Sequence, residues 1–148
     1  MLIHRKQFGV TMIELLVAIG VVAILAMIAV PNMGSLIATN KMNDAQENVM
    51  QVLKSAHANA VANGTFVTVT IASTSAQLST SYGNGTSAPP NLKLNSEVAI
   101  SATNAAMVFS PNGTVDAANT ITLSSVNHPS LSSRGISISV TGLITATR

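Results

Sequence analysis

The chain has 148 residues, 47% of them hydrophobic and only 8% charged, with seven basic and five acidic side chains and no cysteine. That length holds one domain and an anchor but not two domains; so few charges do not dress an ordinary soluble surface, and disulfides, thiolate metal sites and cysteine nucleophiles are excluded. The net charge of +2 counts Arg5 and Lys6; without them Lys41, Lys54, Lys93, Arg134 and Arg148 balance the five acids, so basicity gives no argument for nucleic acid.

Residues 1–9 are polar with a positive cluster at His4, Arg5 and Lys6, and residues 10–30 are apolar except for Glu14. Positive charge ahead of an apolar segment holds that end in the cytoplasm, and 21 helical residues span roughly 30 Å, about one bilayer core. A secretory signal peptide has a shorter apolar region ending in a small-residue cleavage site, and none precedes Pro31. A plain single-span anchor explains the length but leaves a carboxylate one turn inside hydrocarbon, at a cost of about 3 kcal/mol. Cutting the chain after Gly9 creates a compensating charge at that depth, the α-amine of Val10. The simpler alternative is a glutamate that snorkels to the headgroups.

The run Gly9-Val10-Thr11-Met12-Ile13-Glu14-Leu15-Leu16-Val17, continuing to Ala29-Val30-Pro31-Asn32, resembles the class III leader and anchor helix of type IV pilins and type II secretion pseudopilins. The resemblance implies cleavage after Gly9 by a prepilin peptidase and N-methylation of Val10. It also implies that Glu14, the fifth mature residue, pairs with the amine of a neighbouring subunit during assembly. Val10 departs from the phenylalanine usual in that family. The residues themselves point the same way: apolar helices gain little by touching one another in lipid, so an interhelix ion pair supplies direction and register.

Pro31 and Gly34 follow the apolar run, and proline removes a backbone donor and clashes with the preceding turn, so a bend is expected there. Beyond residue 35 the pattern is amphipathic. Met42, Ala45, Val49, Leu53, Ala56 and Ala60 recur at steps of three and four, with Lys41, Glu47, Gln51, Lys54 and Asn59 off that stripe. Asn63-Gly64 is a stop signal.

After Gly64 the period falls to two, and Thr, Val, Ile and Ser come in short runs broken by Gly, Asn and Pro. Strands are predicted over 66–71, 76–80, 98–101, 107–110, 120–124, 136–140 and 143–146. Turns are predicted at Pro111-Asn112-Gly113 and at Thr141-Gly142, the latter joining the last two strands as a hairpin. Residues 82–90 read as a surface loop. The predicted fold class is α+β: a long helix, transmembrane and then amphipathic, packed on a small antiparallel β-sheet head. The divisions are a leader over 1–9, a transmembrane or filament-core helix over 10–34, an amphipathic helix over 35–64 and a β-rich head over 65–148.

The head is similar to the FimT/GspH class of minor pilins and pseudopilins through Asn63-Gly64-Thr65-Phe66-Val67-Thr68-Val69-Thr70, Phe109-Ser110-Pro111-Asn112-Gly113-Thr114, Thr120-Ile121-Thr122-Leu123 and Gly135-Ile136-Ser137-Ile138-Ser139-Val140-Thr141-Gly142. That likeness implies a subunit that primes or joins assembly of a type IV pilus or a type II secretion pseudopilus. Its partners would be the prepilin peptidase, other pilin or pseudopilin subunits, an inner-membrane assembly platform and membrane lipid. The chain would cross the inner membrane once with its head in the periplasm before entering the filament. Some members bind DNA through arginines after the last glycine; here Leu143 and Thr145 stand at those positions, leaving Arg134 and Arg148 as the candidate DNA contacts, too few for a phosphate-binding cluster. A DNA-uptake subunit is therefore the alternative reading, and a major pilin the third.

No enzyme is expected. Asp44 and Glu47 share a helix face without a suggested pocket, and His57 and His128 lack a nucleophile motif; His57 is assigned to the wet face of the helix and His128 to a loop. Two histidines make a weak zinc case, and Glu97 with Asp116 lacks the ligand-dense loop that calcium needs. No cofactor, metal ligand or catalytic residue is accordingly expected.

Overall fold

In a computed structural model of the chain, residues 10–83 and 91–147 are described, those at 29–32 for their backbone alone. The chain divides into two compact units, residues 1–36 and 37–148. Helix α1 (Met12–Asn63) contributes to both.

In the first unit, the described side chains between 10 and 28 are all exposed. Thr11 starts the helix: its Oγ1 and its carbonyl accept from the Glu14 N–H, at 3.3 and 3.1 Å, which satisfies one of the orphan donors of a helix start. Among the described residues no single helix is long and apolar enough to cross a membrane; Met12–Ile28 and Met33–Asn63 meet that requirement only together. Pro31, where a bend is expected, has its side chain outside the described residues.

In the second unit, the predicted stripe is the buried one: Met42, Ala45, Val49, Leu53, Ala56 and Ala60 are at most 4% exposed. Each full burial of a large apolar side chain contributes about 1.5–3 kcal/mol. The helix stops as the sequence suggests. Gly64 takes φ +61°, and the Thr65 N–H reaches back to the Ala60 carbonyl at 3.1 Å, a left-handed end that glycine reaches without a Cβ penalty.

The strands are β1 (Val67–Ala72), β2 (Gln77–Tyr82), β3 (Leu92–Lys93), β4 (Val98–Ala102), β5 (Ala106–Phe109), β6 (Asn119–Ser125), β7 (Arg134–Ile138) and β8 (Ile144–Thr147). They form two four-stranded sheets of order β3-β2-β1-β5 and β4-β6-β7-β8, with every pairing antiparallel. The expected antiparallel head is present, and its strands divide between two sheets. Alternate residues face inward, so Val67, Val69, Ile71, Met107 and Phe109 of one sheet and Ile100, Ile121, Leu123, Ile136 and Ile138 of the other join the helix stripe in one core. Asn119 is buried and satisfied: it accepts from Asn104 N–H at 3.1 Å and donates to the Asn104 carbonyl at 2.9 Å, which ties the β4–β5 corner to β6.

Two segments escaped the sequence reading. A 3-10 turn, Ser73–Ser75, follows β1 and ends at Ala76 with φ +47°. The two-residue β3 pairs with the start of β2. Of the predicted loop at 82–90, residues 84–90 lie outside the described residues.

Candidate functional site

The amino-terminal unit presents one carboxylate on an apolar rod. Glu14 sits in the first turn of α1, where the partial positive charge of a helix start favours an acid. Around it Ile13, Leu15, Leu16, Val17 and Ile19 are each more than half exposed. Val10, the proposed new terminus, is likewise exposed at 72%, whereas Gly9 lies outside the described residues. Thr11 and Glu14 stand three apart, the spacing of a capping box, a helix-start signal in the sequence that the family resemblance overshadowed.

The head unit brings Arg134 and His57 to one flank of α1. Asn43, Gln46, Met50 and His57 recur at steps of three, four and seven, along one side of the buried stripe. Arg134, at the start of β7, donates from Nε to Asn43 Oδ1 at 3.0 Å. Gln46 donates from Nε2 to the carbonyls of Gly135, at 2.8 Å, and Thr147, at 3.3 Å, so two helix amides hold the β7–β8 hairpin. Its partner in the DNA reading, Arg148, lies outside the described residues.

His57 departs from its expected place on the wet face. It is half-buried, its Nε2 lies 3.0 Å from the Gly113 carbonyl, and its ring meets Phe109 edge-on at 5.8 Å. The reason is its place at the border of the stripe, where two turns of the same build converge. Ser110–Thr114 and Ser139–Leu143 each close a three-residue loop with a left-handed glycine, Gly113 at φ +84° and Gly142 at φ +81°. A Cβ on Gly142 would collide with the Gly113 carbonyl and the His57 ring, so glycine is required there for space as well as for φ.

The remaining polar candidates stand apart. The Lys41 ammonium pairs with Glu97 at 2.9 Å, both partly exposed. The Asp116 Oδ1 accepts from Val108 and Ala117 N–H at 3.0 and 2.9 Å. Asp44 and Glu47 are exposed on the helix, and His128 is in a loop, its N–H on Ser125 Oγ at 3.2 Å. Among the described residues no three His, Cys, Asp or Glu side chains come together as a metal site. Leu143 and Thr145, which the resemblance sets at the DNA-contact positions, are exposed on the hairpin.

Residues 4–30 match the prokaryotic N-terminal methylation motif. No curated protein sequence is similar enough to count as a relative. Among solved structures, the chain is similar to the Pseudomonas aeruginosa type IV minor pilin FimU, with TM-score 0.60 at 18% identity over 72% of this chain and 92% of that one. It is also similar to the minor pseudopilin EpsH of the Vibrio cholerae type 2 secretion system, with TM-score 0.61 at 10% identity over 72% of this chain and 96% of that one. Identities this low speak for the fold.

Proposed function

We propose that this chain, a member of the type IV pilin and pseudopilin family by its amino-terminal motif and its fold, is a minor structural subunit that primes or joins filament assembly after cleavage between Gly9 and Val10. The observation that carries the proposal is the exposed apolar surface of residues 10–28 with Glu14 as its one charge. Thirteen large apolar side chains stand exposed there. At about 1.5 kcal/mol each, covering them with lipid or neighbouring helices is worth on the order of 20 kcal/mol. Within that cover Glu14 needs a cation, and the freed amine of Val10 on an adjacent subunit is the group that cleavage supplies at the matching depth. Asn43, Gln46 and the core stripe fasten the sheets of the head to the part of α1 beyond residue 37.

The test is Glu14→Ala expressed alongside the native assembly machinery. The variant is expected to be inserted and cleaved like the wild type yet to be nearly absent from sheared filaments. Incorporation at the wild-type level would remove the ion-pair latch from the account. The DNA-uptake alternative is disfavoured by uncharged Leu143 and Thr145, which leave few cations for a phosphate-binding cluster. The full chain in neutral detergent micelles is expected not to retard duplex DNA even at low salt, where phosphate contacts are strongest.

A further inference from the structure

Two sheets have four outer edges, and among the described residues two of them are closed. β3 is two residues long and carries Lys93. β4 faces the 3-10 turn across a cleft of about 280 Å³ lined by Ser73, Thr74, Ser75, Val98 and Ala99. β5 is capped where Asp116 donates its N–H to the Val108 carbonyl at 3.2 Å and accepts the Val108 N–H on its side chain, and Phe109 bridges to Val115. Short length, charge and covering segments are the ways proteins blunt an edge against pairing.

β8, four residues long, has no covering segment among the described residues. Ile144–Thr147 contains no charge and no proline, and Thr145, Ala146 and Thr147 are exposed. The hairpin bond from Ser139 N–H to the Leu143 carbonyl, 3.0 Å, fixes the alternation. With Ile138 opposite Ile144 and Ser137 opposite Thr145, Thr145 and Thr147 bond to β7, while the N–H and C=O groups of Ile144 and Ala146 point outward. Among the described residues nothing pairs with those groups.

A groove of about 520 Å³ runs along α1, lined by Glu47, Met50, Gln51, Lys54 and Ser55. Gln46 touches Thr147, and the His57 ring lies against the Gly142 turn. Eleven helical residues and five strand residues each rise about 16 Å. β8 therefore runs alongside α1 in the opposite direction, with Met50 level with its middle, Lys54 toward its start and Glu47 toward its end.

We infer that the β8 edge is a β-addition site that takes an extended strand from a different subunit of the same filament. Only a backbone offers donors and acceptors at the two-residue spacing of Ile144 and Ala146. The flank asks for an apolar residue over Met50, an acid toward Lys54 and a base toward Glu47. Antiparallel pairing of β8 with β8 of a second copy is ruled out by direction: that two-fold arrangement points the two α1 helices opposite ways, which chains held in one membrane do not adopt. Naming the occupant as a filament subunit rests on the function proposed above; the availability of the edge does not.

The test uses the full chain in cells with its assembly machinery. Ala146→Pro removes an outward N–H and leaves the ladder to β7 intact. It is expected to be cleaved like the wild type, to melt like it in micelles, and to fall about tenfold in sheared filaments, the factor for one lost hydrogen bond. A photocrosslinker at Thr145 is expected to join an extended segment of another leader-bearing subunit, and that crosslink disappears with Ala146→Pro. If Ala146→Pro misfolds, the crosslink map decides: crosslinks to a helix, within the same chain or to nothing overturn the inference. A folded Ala146→Pro recovered in filaments at the wild-type level overturns it too, with the function intact. Loss of wild-type cleavage and incorporation instead overturns the function, and a crosslink to an extended segment still upholds the edge.

Discussion

At Glu14 the chain places an acid where burial is expensive, and the same residue lies in the first turn of the helix behind the Thr11 cap. These roles separate by substitution. Glu14→Gln keeps the hydrogen-bonding shape and loses the charge, so filament recovery is expected to fall as it does for alanine; recovery near wild type would assign the residue a capping role instead. Gly142 was legible as a turn residue, but its closeness to His57 was not, because residues 57 and 142 meet only through the tertiary fold. Gly142→Ala adds a Cβ against the Gly113 carbonyl and the His57 ring at φ +81°. It is expected to cost about 2 kcal/mol, read as a lowered melting temperature of the full chain in micelles; an unchanged melt would mean that the two turns move apart freely. The Lys41–Glu97 pair is exposed, so Lys41→Met is expected to change stability by less than about 1 kcal/mol.

Among elements, α1 was the most legible because its periodicity serves packing directly: every residue of the expected stripe from Met42 to Ala60 is buried. His57 was misassigned because a residue at the border of a stripe is wet or packed according to what lies opposite, and here two loops do. The strands from β1 to β8 were visible through alternation except for β3, since Leu92 and Lys93 are too few to alternate. The turn at Ser73–Ser75 was hidden because Ala76 takes a left-handed conformation that sequence favours for glycine. The helix holds the hairpin through Gln46. Gln46→Ala is expected to cost about 1 kcal/mol and to speed amide exchange in β8 more than in β1; equal exchange in the two strands would show that the hairpin stands without the helix.

For the whole molecule, two kinds of sequence are joined in one helix. The first stretch is apolar all round and stays uncovered in the single chain; the second is apolar along one stripe and closes a core with two sheets. The division into sheets was not legible, since alternation marks a strand without naming its neighbour. The amino-terminal motif over residues 4–30 was the clearest feature of all, because its residues stand at fixed spacing and are local in sequence. The filament account depends on the proposed cut after Gly9, which would turn the Val10 nitrogen into a cation. Mass spectrometry of the chain isolated from its own cells, in membranes and in sheared filaments, tests it most directly: the account predicts a species beginning at Val10 and bearing an N-methyl group, and a protein that still begins at Met1 in both fractions would contradict it.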